Sequence, residues 1–281
     1  MKRKEDVNVL GMEIRMYQLG FIGTGNMGSA LARSACAGIS ADEVLLANRT
    51  KATAERLAEE LGCAAGENCD VAKMSRYIFL GVKPQVMAEL LSEIAPVLRE
   101  RKDRFVLVSM AAGVKLGTIE HMLQTEYPVI RMMPNIAAAV GESMLLFTSN
   151  AKVTKEEKQE FCHYMEGMGQ IDEIPEGWMD AGCALSGSGT AFAFLFLEAL
   201  SDGAVACGLP RERAMKYAAQ TLLGAAKLML EDGRHPAELK DAVCSPGGTT
   251  IAGISVLESA GFRGAAIEAV KAAYGRACEL S

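Results

Sequence analysis

The chain has 281 residues, of which half are hydrophobic and 23% are charged, and its formal net charge at pH 7 is −6. This length suits two domains better than one core, and the composition is that of an ordinary globular protein. The mixed charges form no basic stripe, which argues against a nucleic acid as the partner.

Cysteine and histidine usage argues against a metal site. The eight cysteines form no CxxC pair and the three histidines are scattered, so the clustering of a zinc site is missing. We therefore expect no metal, and reduced, mostly buried thiols in a cytoplasmic protein. Residues 1–15 contain no apolar signal segment and predict an N-terminal extension. The longest apolar run, residues 191–197, is too short to span a bilayer, so we expect no membrane partner.

Short apolar runs separated by amphipathic segments dominate residues 16–174. The runs predict buried strands at 17–22, 43–47, 77–82, 105–110 and 128–133, with 142–148 and 170–174 as extensions of the sheet. The segments between them, such as 51–62 and 85–100, predict helices. Strand, helix and strand in this order predict an α/β domain with a doubly wound parallel sheet.

Helical patterns follow one another after residue 174, where strand patterns end. One predicted helix starts at Pro210, another near Pro236, and Gly261 is typical of a helix C-terminus. We therefore predict an all-α domain over residues 175–281. Because this domain is so apolar for its size, we expect it to share its core with a second copy of the chain.

A glycine pattern, GxGxxG at Gly23, Gly25 and Gly28, follows the first predicted strand and opens a helix. In a dinucleotide site the first glycine permits a tight turn, and the second lets the backbone approach the pyrophosphate. The third lets helix and strand pack closely, and the phosphates lie at the positive end of the helix. A purely structural turn is the alternative interpretation.

The end of the second predicted strand bears on the choice of cofactor. Binding sites for NAD usually have a carboxylate there, whereas this chain has Asn48, Arg49 and Thr50. Because Arg49 can pair with a 2′-phosphate, this end of the strand favours NADP(H) over NAD(H). A solvated arginine at the start of a helix is the alternative.

Two further strand ends point to the same crevice, since parallel sheets bind ligands at their carboxyl edge. Residues 81–85 read GVKPQ and end a strand at a proline, and residues 109–113 read SMAAG. Small side chains there leave room for a flat ring. Lys83 is a candidate site residue or an ordinary surface lysine.

The sequence SPGGTT at residues 245–250 opens the next helical pattern. One interpretation is only a turn that starts a helix. The other is an anion cradle, because the amides of Gly247, Gly248 and Thr249 would be unpaired at a helix N-terminus, where a carboxylate can bind. We predict the cradle.

The motifs GFIGTGNMG, GVKP, MAAGV, RMMPN, LSGSG and SPGGTTIAG occur in this order and resemble those of the pyrroline-5-carboxylate reductase family, from about Met16 to the end of the chain. The resemblance implies an N-terminal Rossmann-like domain and a C-terminal dimerisation domain, with dimers that often assemble into rings. It also implies transfer of a hydride from NAD(P)H to the C=N carbon of 1-pyrroline-5-carboxylate, which gives L-proline. Such an imine accepts hydride mainly when its nitrogen is protonated, so no His–Asp pair is needed.

The resemblance further implies roles for individual residues. Those implied to hold the cofactor are Ile22, Gly23, Thr24, Gly25, Asn26, Met27 and Gly28 at the pyrophosphate, Asn48 and Arg49 at the adenosine end, and Asn68 (in the loop after the third strand), Val82, Lys83, Pro84, Met110, Ala111 and Ala112 on the ribose and nicotinamide side. Those implied to bind substrate are Ser245, Gly247, Gly248, Thr249 and Thr250. The hydroxyl of Thr250 would assist at the imine nitrogen.

The chain departs from the usual family pattern near the substrate region. The unusual residues are Ile136, Ala137, Ser143, Thr190, Phe192 and Ala242. A reductase of a related cyclic imino acid is therefore an alternative, and so is a non-catalytic NADPH-binding paralogue. A β-hydroxyacid dehydrogenase is disfavoured. The pattern of that class has a lysine four residues after the glycines that start the second domain, whereas this chain has Ala193 four residues after Gly189.

Overall fold

The computed structural model describes residues 8–9, 12–13 and 15–280. Within the predicted N-terminal extension, strands β1 (Asn8–Val9) and β2 (Met12–Glu13) pair in antiparallel fashion. The remainder of that extension up to residue 14 lies outside the described residues, so its character stays a prediction.

Eight strands of the part from residue 15 onward form the main sheet. In chain order they are β3 (Tyr17–Ile22), β4 (Val44–Ala47), β5 (Ala64–Ala65), β6 (Ser75–Leu80), β7 (Val106–Ser109), β8 (Val129–Met133), β9 (Ser143–Ser149) and β10 (Gly169–Glu173). Their spatial order is β10-β9-β8-β7-β6-β3-β4-β5. Seven of these strands match the predicted runs within two residues, and the doubly wound α/β fold is confirmed.

One strand pair differs from the expected parallel sheet, because β8 and β9 are antiparallel. The connection between them is a short 3₁₀ turn, Ile136–Val140. A parallel crossover needs a dozen or more residues, so this connection is too short for a parallel pairing. The sheet is thus parallel between all its other neighbouring strands, and the direction of the predicted extension 142–148 was not specified by its sequence pattern.

Six helices of the described chain accompany the sheet. They are α1 (Asn26–Gly38), α2 (Lys51–Leu61), α3 (Asn68–Met74), α4 (Pro84–Glu100), α5 (Leu116–Leu123) and α6 (Lys155–Met165). Two apolar clusters occupy the two faces of the sheet: one packs α1, α2 and α6 against it, and the other packs α3, α4 and α5. Strands buried on both faces read as continuous apolar runs, which is why the pattern predicted them well.

The order of the sheet places a crevice between β3 and β6. The chain lays down β4 and β5 on one side of β3, and then β6, β7 and β8 on its other side. The connections after β3 and β6 therefore leave in opposite directions along the sheet. Open α/β sheets bind ligands at such a reversal, at the carboxyl ends of the strands.

The chain divides into two compact units after Gly187, and residues 274–280 belong to the first unit. The part of the first unit that precedes this division ends with α7 (Met179–Gly182) and one π-helical turn, Cys183–Gly187. The remaining helices are α8 (Gly189–Ala206), α9 (Arg211–Asp232), α10 (Pro236–Ala242), α11 (Thr249–Ser259) and α12 (Phe262–Leu280). The helical C-terminal region is confirmed, whereas the domain boundary at residue 174 stays a prediction.

The second unit, all of whose residues are described, has almost no core of its own. Its buried residues are Ser201, Ala214 and Ala218, which are all small. Large apolar side chains such as Leu195, Leu230 and Val256 are more than two-thirds exposed. A helical unit that buries so little apolar surface lacks the main source of folding free energy.

The segment Glu176–Ala206, which begins in the first unit and continues into the second, is helical, long and apolar enough to cross a membrane by length and composition. The run of residues 191–197 on which the sequence prediction was based is shorter than this segment. Isolated polar residues interrupt the run, but the mean hydropathy of the longer segment stays high. Length and composition alone are weak evidence for a membrane span.

All eight cysteines lie among the described residues and are free thiols. The expectation that most are buried is wrong: six are half-buried, and Cys207 and Cys278 are exposed.

Candidate active site

The glycine turn between β3 and α1 is built so that two of its glycines accept no side chain. Gly23 has φ +94°, and an added Cβ there would lie 2.8 Å from the carbonyl carbon and oxygen of Gly81. An added Cβ at Gly28 would lie 2.0 Å from the carbonyl oxygen of Gly23. These distances explain the tight turn and the close packing that the sequence pattern predicts.

Gly25 is different, because an added Cβ there meets no described atom within 4 Å apart from those of its chain neighbours. It is the N-cap of α1, and within the described chain no side chain caps this helix end. The first turn of α1 also carries no acidic residue. The free amides and the positive end of the helix dipole therefore face open space, which suits a pyrophosphate.

Asn48 connects this turn to the loop after β4. Its Oδ1 accepts a hydrogen bond from the Thr24 amide (3.2 Å), and its Nδ2 donates to the Thr50 carbonyl (3.3 Å). Arg49 is exposed and has no hydrogen-bond or ion-pair partner within residues 15–280. Its guanidinium is thus free for a ligand, as the sequence predicts for recognition of a 2′-phosphate.

The ends of β6 and β7 complete the crevice. The Gly81 amide donates to the Ile22 carbonyl (2.7 Å), and an added Cβ at Gly81 would approach Gly23 and the Cε of Met110 within 3 Å. Lys83 is exposed and precedes α4, which begins at Pro84. The structure therefore brings the predicted pyrophosphate and nicotinamide residues to one edge of the sheet.

The prediction for Asn68 needs a correction in its position. It precedes the third predicted strand, 77–82, and it is the first residue of α3 and not a loop residue. Its Nδ2 donates to Glu93 Oε2 at 2.9 Å. The amide of Asn68 is thus engaged on α4, and a role at the cofactor ribose stays a prediction.

A buried ion cluster lies on β8, which pairs with β7 on the side away from β6. Arg131 of β8 is 1% exposed, and its guanidinium lies 3.4 Å from Glu176 and 3.0 Å from Asp180. Glu176 also accepts the Leu116 amide at the start of α5 (2.7 Å). This cluster was not predicted from the sequence, although an arginine inside a strand predicted to be buried signals that a carboxylate partner is needed.

A second network, also missed, holds the turn after β8. The Asn135 amide donates to the hydroxyl of Ser143 (3.1 Å), and its side chain donates to the Ser186 carbonyl and caps the turn through Ala137. Pro134, which has no amide hydrogen, interrupts the β8–β9 ladder, so the next amide needs a side-chain acceptor. Ser143, one of the departures from the family pattern, supplies it.

The predicted substrate residues lie together in the second unit, at the start of α11. Gly247 has φ +67°, which only glycine adopts readily, and Gly248 is the N-cap of α11. One detail of the prediction is wrong: the Gly248 amide is paired, because the turn closes through its hydrogen bond to the Ser245 carbonyl (3.0 Å). The amides of Gly247 and Thr249 donate no hydrogen bond within the described chain.

Thr250 lies in the first turn of α11 and is exposed. Its hydroxyl has no hydrogen-bond partner among the described residues, and the first turn of the helix contains no acidic side chain. The start of α11 is therefore able to accept a carboxylate beside a free hydroxyl.

Comparison with known proteins gives two family matches. Residues 176–280 match the family model for pyrroline-5-carboxylate reductase dimerisation, and residues 18–113 match the model for NADP oxidoreductase, coenzyme F420-dependent. The second match covers the glycine turn and the strand ends, and the first covers α11.

Individual relatives extend over nearly the whole chain. Pyrroline-5-carboxylate reductase 3 of Danio rerio is 40% identical over 270 residues, which covers 95% of this chain and 93% of the relative. Pyrroline-5-carboxylate reductase of Escherichia coli (strain K12) is 40% identical over 267 residues, which covers 94% and 98%. The crystal structure of Plasmodium falciparum pyrroline carboxylate reductase with NADP bound is 30% identical, has a TM-score of 0.85 and covers 94% of this chain and 98% of that one.

Proposed function

The chain belongs to the pyrroline-5-carboxylate reductase family, and we propose that it reduces 1-pyrroline-5-carboxylate to L-proline with NADP(H). The observation that carries this proposal is the identity of about 40% to named reductases over 95% of the chain. It is an oxidoreductase of the CH–NH group, and the reaction is the last step of proline biosynthesis.

The residues at the sheet edge fit a dinucleotide. Gly25 leaves the helix terminus open, Gly23 and Gly28 admit no side chain, and Arg49 is a cation without an ion-pair partner among residues 15–280. When bound, the reduced cofactor supplies the hydride for the imine carbon. We propose that the turn at residues 22–28 holds the pyrophosphate, and that Arg49 recognises the 2′-phosphate that distinguishes NADP(H) from NAD(H).

We propose that the start of α11 holds the substrate. The free amides of Gly247 and Thr249 would bind its carboxylate at the positive helix end. The Thr250 hydroxyl would hydrogen-bond the imine nitrogen, which becomes the amine of the product. The imine nitrogen is protonated before the transfer. The hydride then bonds to the imine carbon, and the π electron pair of the C=N bond moves to the nitrogen.

We propose a homodimer that buries the apolar helices of the second unit. The match of residues 176–280 to a dimerisation family and the exposure of large apolar side chains such as Leu230 support it. A second copy, and not a lipid phase, would then cover the apolar segment Glu176–Ala206. Rings of dimers, and a cytoplasmic location in keeping with eight free thiols, are part of the same proposal.

A panel of cyclic imino acids assayed with NADPH and NADH tests the function. We expect proline formation from 1-pyrroline-5-carboxylate, with NADPH preferred. A higher kcat/KM for a related cyclic imine would favour the alternative substrate suggested by Ile136 and Ala137, of which Ile136 is 61% exposed. Tight NADPH binding without turnover of any imine would favour the non-catalytic paralogue.

A further inference from the structure

The side chain of Asn48 makes two hydrogen bonds to the backbone, one on each side of its amide. The Thr24 amide can only donate, so the oxygen of Asn48 must face it, and the Thr50 carbonyl can only accept, so the nitrogen must face that side. The two partners determine the orientation of the amide without ambiguity. Asn48 therefore ties the glycine turn to the loop of residues 48–50.

These two hydrogen bonds restrain the loop that contains Arg49. The loop leaves the sheet at Ala47, whose carbonyl accepts the Gly23 amide (2.8 Å), and α2 begins at Lys51. Arg49 thus lies between Ala47 and the start of α2, and the side chain of Asn48 bonds Thr24 and Thr50 on either side of it. A flexible arginine loses less entropy on binding an anion when its backbone is already held in place.

The same geometry disfavours an acidic residue at this position. A carboxylate could accept the Thr24 amide, but its second oxygen would face the Thr50 carbonyl at about the 3.3 Å that now separates donor and acceptor. Two acceptors at that distance repel each other. The amide is the side chain that satisfies both sides, and it leaves the adjacent arginine as the charged group of the loop.

We infer that Asn48 is a positioning residue: it holds the loop of residues 48–50 against the glycine turn, and through Arg49 it sets the preference for the 2′-phosphorylated cofactor. The inference rests on the proposed binding of NADP(H). The family resemblance implies that Asn48 contacts the adenosine end of the cofactor directly. The inference instead assigns Asn48 an indirect effect on the cofactor, through Arg49.

Dissociation constants for NADPH and NADH, measured by fluorescence titration without substrate, test the inference. We expect Asn48→Ala to weaken NADPH binding at least tenfold and NADH binding by no more than threefold. An unchanged ratio of the two constants would overturn the inference. Asn150→Ala is the matched control, because the Asn150 amide also bridges backbone groups but lies at the end of β9, away from the crevice. It should lower Tm and leave the ratio unchanged.

A double-mutant cycle with Arg49→Ala separates positioning from direct contact. If Asn48 acts through Arg49, then Asn48→Ala changes the NADPH to NADH ratio less than twofold once Arg49 is gone. If Asn48 itself contacts the nucleotide, the tenfold change persists in the Arg49→Ala background, and the inference is overturned. Because the titration needs no turnover, a wild-type protein that binds NADPH but reduces no imine would contradict the proposed function and leave this test intact.

Discussion

Gly28→Ala is the most direct test of the glycine turn, since it adds one methyl group at a defined place. That methyl would lie 2.0 Å from the Gly23 carbonyl oxygen, whereas ordinary van der Waals contact begins at 3.4 Å. The helix α1 must therefore retreat from the turn by about 1.4 Å, the difference between the two distances. Overpacking of this kind costs about 1–3 kcal/mol of folding free energy.

Each kcal/mol lowers Tm by about 2–4 °C in a protein of this size, so differential scanning calorimetry resolves the effect. Gly25→Ala is the matched control, because the same methyl meets no described atom within 4 Å apart from those of its chain neighbours. It should leave Tm within about 1 °C of the wild type and weaken NADPH binding, since the methyl occupies the approach to the pyrophosphate. Equal Tm values for Gly28→Ala and the wild type, or equal destabilisation by both variants, would refute the steric reasoning.

Three further predictions concern the substrate cradle, the cofactor and pH. Thr250→Ala should lower kcat about tenfold or more with little change in NADPH affinity, because the hydroxyl assists only at the imine; steady-state kinetics with unchanged kcat would contradict this role. Arg49→Ala should weaken NADPH far more than NADH in the same titrations, and equal losses would show that Arg49 does not recognise the 2′-phosphate. Burial of Glu157 raises its pKa, but the hydrogen bonds from Arg104 and the Thr154 amide outweigh this effect, so the pKa lies below its usual value. Its contribution to stability is therefore complete above about pH 4.3 and is lost as pH falls through the lowered pKa, so the Tm difference between wild type and Glu157→Gln should shrink from pH 7 to pH 3; a constant difference would count against it.

The sheet was predictable because its signal is local. Strands buried on both faces, such as Tyr17–Ile22, are continuous apolar runs, and each matched run needs no knowledge of its neighbours. The two-residue strand Ala64–Ala65 escaped prediction, since so short a segment has no period to recognise. The antiparallel direction of β9 also escaped, because direction depends on the connection to β8 and not on the strand itself.

The sequence by itself determined the doubly wound sheet, the helical C-terminal region and the places where glycine is required at the turn. Each of these follows from residue type and spacing within about twenty positions. Only the tertiary structure decided the partners of buried polar groups, since Arg131 meets Glu176 and Asp180, which lie more than forty positions further along the chain. It likewise decided that Asn48 reaches back to Thr24, because hydrogen bonds between separate loops depend on how the strands bring their ends together.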